Sequence, residues 1–182
     1  MQDLVFITGN QYKADYLAKW LDREIEHQKV DLDEIQSLDP RAVVEHKVKV
    51  AYDVVHRPVL VEDVSLTFMA LGHLPGTLVK WFLQELGQEG LCELGNKYAD
   101  KRATAAITYA FYDGKEIHFF EVAVSGTLAP KPRGESHGWN SLFIPDGYDQ
   151  TYAEMDDKTF HACSHRGQAL ERLKAYLEKL DK

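Results

Sequence analysis

The feature that most constrains the fold is a short apolar run followed at once by a glycine loop and an amphipathic segment. Residues 4–7 predict a buried strand, and Thr8-Gly9-Asn10 ends it. A helical pattern then continues from residue 11 to about residue 24, with Asn10 suited to the N-cap. A strand, a glycine loop and a helix in this order predict an α/β protein that opens with a βα unit.

The rest of the chain alternates between strand and helix patterns. Further predicted strands are residues 30–32, 59–61, the two arms of a hairpin within 102–129, and 142–144. Further predicted helices are residues 40–55, a segment starting near residue 79, a shorter one around residues 91–94, and 164–180. We therefore expect one α/β domain over residues 1–182, built on a mixed sheet.

The composition of the chain argues against several classes of function. The chain has 182 residues, a formal net charge of −8 and two cysteines that form no CxxC pair. The negative charge argues against binding a nucleic-acid polymer, because such binding depends on neutralising phosphates. We expect no membrane span and no signal peptide, since no apolar run is long enough and no basic segment opens the chain. The sparse cysteines favour a reducing, cytoplasmic setting.

The glycine loop has the parts of an anion site. Gly9 permits close backbone approach, the helix behind it offers free N–H groups, and Lys13 lies one turn further on. The spacing is not that of a Walker A loop. A plain strand-to-helix turn with a surface lysine is the alternative interpretation.

Two acids follow the apolar residues 59–61. Ligands of α/β sheets bind at the carboxyl ends of strands, so Glu62 and Asp63 are candidates to hold a metal and orient water, with Glu34 as a further ligand. Magnesium takes one or two protein carboxylates together with substrate phosphate oxygens. The alternative is that the acids merely end the strand.

Two segments nearer the C-terminus are candidate contacts for a ligand. Ser164-His165-Arg166 opens the last predicted helix and combines a cap with donor side chains. A serine hydrolase is disfavoured because no GxSxG elbow is present. Residues 136–141 form a glycine- and tryptophan-containing loop that could shape a pocket for a planar ring. The alternative for the first segment is that Ser164 only caps the helix, and the alternative for the second is that Trp139 is a core residue beside a turn.

Taken together, the chain resembles the inosine triphosphate pyrophosphatases over nearly its whole length. The matching motifs, in family order, are Thr8-Gly9-Asn10 with Lys13, Val61-Glu62-Asp63 with Ser65-Leu66, Leu74-Pro75-Gly76, Lys80-Trp81-Phe82, Gly138-Trp139, Pro145-Asp146-Gly147-Tyr148, Thr151-Tyr152-Ala153-Glu154-Met155 and Ser164-His165-Arg166-Gly167-Gln168-Ala169-Leu170. The resemblance implies an elongated mixed sheet flanked by helices, in two lobes with a central cleft, and a homodimer.

The resemblance also implies an activity: magnesium-dependent hydrolysis of ITP, dITP and XTP to the monophosphate and pyrophosphate, with Mn²⁺ as an alternative metal. Its implied catalytic residues are Asp63 as general base, Glu62 and Lys13, and its implied metal ligands are Glu34, Glu62 and Asp63. The implied substrate contacts are Thr8, Gly9, Asn10, Lys13, Lys47, Lys80, His137, Gly138, Trp139, Asn140, Ser164, His165 and Arg166.

The sequence departs from the family at the base-binding end. His137 stands where the family has a stacking phenylalanine, Asn140 where it has aspartate, and Ser141 where it has proline. Phe160 stands where it has lysine, and could supply the lost stacking face. An asparagine both donates and accepts hydrogen bonds, so it discriminates less than aspartate. A pyrophosphatase with relaxed or shifted base preference is therefore one alternative, and a nucleotide-binding protein without catalysis is another. The preferred base and sugar and the oligomeric state stay open.

Overall fold

The computed structural model describes residues 3–136 and 138–180. Its strands are β1 (Val5–Ile7), β2 (Glu26–Gln28), β3 (Val59–Phe68), β4 (Pro75–Gly76), β5 (Arg102–Tyr112), β6 (Ile117–Leu128) and β7 (Phe143–Pro145). Its α-helices are α1 (Gln11–Leu21), α2 (Pro40–Val55), α3 (Val79–Asn96), α4 (Asp157–Cys163) and α5 (His165–Leu180). None of the helices described is long and apolar enough to cross a membrane.

The strands form one mixed sheet. Their order is β2-β1-β3-β5-β6-β7, with β4 paired to β3 outside this path. The strand β1 pairs in parallel with β2 and β3, whereas β4 pairs antiparallel with β3, and β7 antiparallel with β6. The predicted α/β class with a mixed sheet flanked by helices is confirmed.

The chain divides into two compact units. The first unit is Met1–Asp63, Thr108–Glu121 and Ala169–Lys182, and the second is Val64–Ile107 and Val122–Gln168. The core of the first unit joins valines of β1, α2 and β3. In the second unit α3 packs closely, because a Cβ at Gly95 would lie 2.3 Å from Leu128 Cδ1 and 3.1 Å from Phe68.

The predicted strand at residues 30–32 is wrong. The strand forms instead at Glu26–Gln28, whose three side chains are all exposed because β2 is the edge of the sheet. Val30 and Leu32 are partly buried against the core of the first unit without belonging to a strand. An apolar pattern therefore marked burial here, and not pairing.

The prediction that Glu62 and Asp63 end a strand is also wrong, because β3 continues to Phe68. The continuation is held by β4, through Leu66 opposite Gly76 and its neighbour opposite Pro75. The pairing of β3 with β1 covers only Val59 and Leu60. Both acids therefore follow the segment paired with β1, close to where β1 gives way to the glycine loop.

The helices at residues 40–55 and 164–180 and the hairpin of β5 and β6 are confirmed within a residue or two. The separate helices predicted after residue 79 form one element that breaks at Gly87, where φ is 66° and ψ is −177°. The helix α4 was not predicted.

Candidate active site

The glycine loop is fixed by three polar contacts. Thr8 N–H donates to the carbonyl of Gln28 at 3.0 Å, and Thr8 Oγ1 accepts from Asn10 N–H at 3.1 Å. Asn10 caps α1 as predicted, because its side-chain oxygen accepts from Lys13 N–H at 3.3 Å. The loop thus presents the amino end of α1, which favours anions.

Lys29 lies across this loop and was missed in the sequence. A Cβ built on Gly9 would lie 3.0 Å from both Cγ and Cδ of Lys29. Glycine at position 9 therefore leaves room for the stem of an exposed lysine. The contact comes from the parallel pairing of β2 with β1, which the misplaced strand prediction concealed.

Four side chains of the first unit form two lysine–carboxylate pairs. Lys13 Nζ lies 2.8 Å from Glu62 Oε1, and Lys47 Nζ lies 2.9 Å from Glu34 Oε1. Lys47 also donates to the main-chain carbonyl of Glu62 at 3.5 Å. The carboxylate of Glu62 is only 3% exposed, so its charge depends on the lysine beside it. The structure thus brings together the predicted phosphate contacts Lys13 and Lys47 and the predicted acids.

Asp63 completes this group, which we call the lysine–carboxylate cluster: Lys13, Glu34, Lys47, Glu62 and Asp63. The pKa of Asp63 is raised to about 6, chiefly by burial; Lys47 and Lys13 lower it, and Glu34 and Glu62 contribute to the rise. Among the residues described, none donates a hydrogen bond to its buried Oδ2. A buried carboxylate oxygen without a donor is costly unless a ligand or cation satisfies it.

The predicted metal ligands do not form a closed cage. The described part of the chain contains no group of three or more His, Cys, Asp or Glu side chains that could hold a metal ion. Glu34 and Glu62 instead face Lys47 and Lys13. The donor set nevertheless fits a magnesium ion that takes one or two carboxylates and draws its other ligands from phosphate and water. Such an ion would bind to the unsatisfied Oδ2 of Asp63.

In the second unit, Ser164 caps α5 as predicted. Its Oγ accepts from Gly167 N–H at 3.0 Å, and the side chain is fully buried. His165 and Arg166 are also buried. The His165 ring stacks on Trp139 with centroids 5.2 Å apart and planes 26° apart. The structure therefore brings together Trp139 and the Ser-His-Arg segment.

The loop around Trp139 is held by a residue that the sequence did not single out. Gln88 Nε2 donates to the carbonyls of Ser136 and Gly138, both at 2.8 Å. Gly138 has φ of +85°, which glycine adopts without strain. The main-chain carbonyl of Asn140 accepts from Ala153 N–H at 3.2 Å. The predicted contact His137 lies outside the described residues.

Two further candidates have different surroundings. Phe160 is buried and packs edge-on against Tyr152, with centroids 5.2 Å apart, so its stacking on a base stays a prediction. Lys80 is an exposed residue of α3, and its ammonium lies 5.6 Å from the centroid of the Trp81 ring.

These features define an α/β protein whose first unit carries a lysine–carboxylate cluster next to the glycine loop at the amino end of α1. The sequence matches the family described as the Ham1 family over residues 4–176, and the chain belongs to that family. It is 42% identical over 180 residues to the inosine triphosphate pyrophosphatase of Yarrowia lipolytica, covering 96% of this chain and 95% of the relative. It is 43% identical to that of Schizosaccharomyces pombe, with 98% and 96% covered.

Solved structures share the fold. The Ham1 protein of Coxiella burnetii matches with a TM-score of 0.78 at 24% identity, covering 98% of this chain and all of that one. The Staphylococcus aureus Ham1 protein matches with a TM-score of 0.77 at 22% identity, covering 97% and 98%. These likenesses and the family match confirm the resemblance seen in the sequence.

Proposed function

We propose that this chain hydrolyses non-standard purine nucleoside triphosphates, such as ITP, dITP and XTP, to the monophosphate and pyrophosphate. The observation that carries the proposal is the lysine–carboxylate cluster, with the unsatisfied Oδ2 of Asp63, next to the glycine loop whose Asn10 caps α1. Relatives at 42% and 43% identity bear the name inosine triphosphate pyrophosphatase. A solved structure from Mycobacterium abscessus bears the name nucleoside-triphosphatase / dITP/XTP pyrophosphatase.

The phosphate chain is assigned to the first unit. The N–H group of Gly9, the hydroxyl of Thr8 and the side-chain amide of Asn10 donate to phosphate oxygens, and Lys13 and Lys47 neutralise their charge. Because Lys13 and Lys47 face Glu62 and Glu34, substrate phosphate competes with these carboxylates for the two ammonium groups. A lysine released from its carboxylate partner frees that carboxylate for a cation.

The metal, which we propose is Mg²⁺, would be held by Asp63 together with Glu62 or Glu34. When bound it supplies Lewis-acid stabilisation of charge on the phosphoryl group. Asp63 is our choice of general base, because its raised pKa lets the carboxylate accept a proton from water near neutral pH. Glu62, once phosphate has drawn Lys13 away from it, orients that water.

The purine is assigned to the second unit. Arg166 donates towards a six-keto oxygen, with Ser164 and His165 beside it at the same edge, whereas an adenine amino group would meet a further donor there. Gly138, Trp139 and Asn140 contact the ring, together with His137. Lys80 is the least supported of the proposed phosphate contacts, since it lies over Trp81. We further propose that residues 1–182 act as one catalytic domain, in a cytoplasmic homodimer.

The test is pyrophosphate release from ITP with magnesium, by the wild type and by Asp63→Asn. We expect release by the wild type, its loss on chelation of the metal, and a fall of about 100- to 10,000-fold in Asp63→Asn, the range expected for a general base. Phosphate release in place of pyrophosphate, or no release from any purine triphosphate, would contradict the proposal. In the second case purine nucleotide binding without turnover would favour the non-catalytic alternative.

The second candidate function is the same hydrolysis with relaxed or shifted base preference, favoured by Asn140 in place of the family's aspartate. The measurement is kcat/KM for ITP, XTP, dITP, GTP and ATP, with Asn140→Asp as the matched variant. If base preference is relaxed, the wild type should have closely similar kcat/KM values for the five nucleotides, and Asn140→Asp should make these values differ. A strong inosine and xanthosine preference in the wild type would eliminate this candidate.

A further inference from the structure

The side chain of Gln88 ties together three points of one loop. We call residues 136 and 138–141 the base loop. Gln88 Nε2 donates to the carbonyls of Ser136 and Gly138 at 2.8 Å each, and its Oε1 accepts from Ser141 Oγ at 2.9 Å. The partners lie 48 to 53 residues away in the chain, so Gln88 is a long-range clamp and not a local turn contact.

The orientation of this amide is set by its partners. A glutamine amide carries two N–H donors and one oxygen acceptor, and backbone carbonyls only accept. The amino group must therefore face Ser136 and Gly138, and the opposite orientation would place three oxygens together. Ser141, whose hydroxyl donates to Oε1, is fully buried and secures the remaining side of the amide.

The helix break at Gly87 places this clamp. Because Gly87 has φ of 66° and ψ of −177°, α3 stops there and restarts with Gln88 in its first position. The positive φ is a conformation that glycine adopts freely. An uninterrupted helix would carry the Gln88 side chain elsewhere.

Ser141 links the clamp to the departure of this chain from its family. The family resemblance leads one to expect proline at this position, and proline carries no hydroxyl that could donate to Gln88 Oε1. The Ser141–Gln88 hydrogen bond therefore exists only because serine stands here. The substitution at position 141 is thus part of a connected arrangement and not an isolated change.

We propose that Gln88 is a positioning residue for base recognition, which holds the base loop in the shape that binds the purine, with Ser141 orienting its amide. The inference rests on the proposed function and deepens it, because it names what sets the geometry of Gly138, Trp139 and Asn140. Gln88 acts through the loop, by fixing the carbonyls on either side of position 137.

The decisive variant is Gln88→Glu, which keeps the size of the side chain but turns an oxygen towards two carbonyls. Losing one or two net hydrogen bonds predicts a rise in KM for ITP of about five- to thirty-fold, with kcat within about threefold. We expect the kcat/KM ratio of ITP to ATP to change by a similar factor. The inhibition constant of tripolyphosphate, which has no base, should stay within about twofold. The matched control is Gln84→Glu, an exposed glutamine of α3, which should leave all four values unchanged.

A second arm uses Ser141→Ala alone and combined with Gln88→Glu. Since both act on one amide, the double variant should show a KM no higher than Gln88→Glu alone. Gln88→Glu behaving like Gln84→Glu, or weakening tripolyphosphate as much as ITP, would overturn the inference. If the wild type hydrolyses no purine triphosphate, the proposed function fails by itself. Calorimetric binding of inosine monophosphate to wild type and Gln88→Glu then decides the inference, and equal affinities overturn it.

Discussion

At the scale of single residues, the burial that suits Asp63 to its proposed catalytic role also lowers the stability of the folded protein. Its pKa is raised from 3.8 to about 6 by burial, so the folded protein holds this proton more tightly than the unfolded chain. Its contribution to stability is therefore full below pH 3.8 and is lost as the pH rises through about 6. Above that pH the charged group opposes folding, unless a cation or a substrate satisfies it.

We predict that Asp63→Asn stabilises the metal-free protein at pH 7.5 by up to about 3 kcal/mol, the equivalent of the raised pKa. The advantage should shrink towards zero as the pH falls from 6.5 to 4. Urea unfolding with a chelator at several pH values measures it. A variant that is less stable than the wild type at pH 7.5 would contradict this account of Asp63.

A second residue-scale prediction concerns Gly9, whose φ is not in the left-handed region. We predict that Gly9→Ala folds, with a free energy of unfolding within about 1 kcal/mol of the wild type, because the contacted atoms belong to a flexible lysine stem. Affinity for tripolyphosphate should fall, since the methyl group covers the loop. The control is Gly9→Ala in a Lys29→Ala background, where the stability effect should disappear. A large loss of stability in both backgrounds would show that the backbone itself requires glycine.

At the scale of elements, the patterns that succeeded were local and those that failed depended on distant pairing. Pro40 and the caps at Asn10 and Ser164 act within one turn, so the helix starts were predictable. The edge strand β2 has no buried face and leaves no local apolar pattern. The residues beyond Asp63 do alternate, with Leu66 and Phe68 buried, but pairing with β4 is what continues β3 through the two acids.

The same distinction applies to the candidate site. Lys13, Glu62 and Asp63 stand in short motifs next to predicted elements and could be identified from sequence. Lys29 and Gln88 reach their partners only through strand pairing and a helix break, so they carry no sequence signal of their own.

The packing of α4 against the start of α5 gives an element-scale prediction. A Cβ on Gly167 would lie 1.8 Å from the carbonyl oxygen of His161, an overlap with rigid backbone. We predict that Gly167→Ala destabilises the protein by about 3 kcal/mol or more, because the two helices must separate. Thermal and urea unfolding measure the loss.

The matched control is Gly90→Ala in α3, whose added Cβ meets only a side-chain carbon of Leu86, at 3.1 Å. Its effect should be far smaller, and helix propensity favours alanine there. Removing the α5 cap by Ser164→Ala should cost about 1 kcal/mol, which separates loss of the cap from overlap. Equal effects of Gly167→Ala and Gly90→Ala would refute the packing argument.

At the scale of the whole molecule, the proposed phosphate contacts other than Lys80 belong to the first compact unit of the chain, and the proposed base contacts belong to the second. The lysine–carboxylate cluster belongs to the first unit, and Trp139 with Ser164, His165 and Arg166 belongs to the second. We therefore infer that the reaction chemistry can be kept while base recognition changes. The departures from the family resemblance at Asn140 and Ser141 lie among the proposed base contacts, whereas Lys13, Glu62 and Asp63 stand in motifs that match it.

This division predicts two separate footprints in amide hydrogen exchange of the wild type. Tripolyphosphate with magnesium should slow exchange at residues 8–13, because bound phosphate covers this loop and the amino end of α1, and should leave residues 138–140 unchanged. Inosine, which has no phosphate, should slow exchange at residues 138–140 and leave residues 8–13 unchanged. ITP with magnesium at low temperature should give both footprints, and Gln88→Glu should weaken only the inosine footprint. Slower exchange at residues 8–13 than at 138–140 when inosine is bound would contradict the assignment. Inosine carries no phosphate, so this result would mean that the purine binds at the loop that we assign to phosphate.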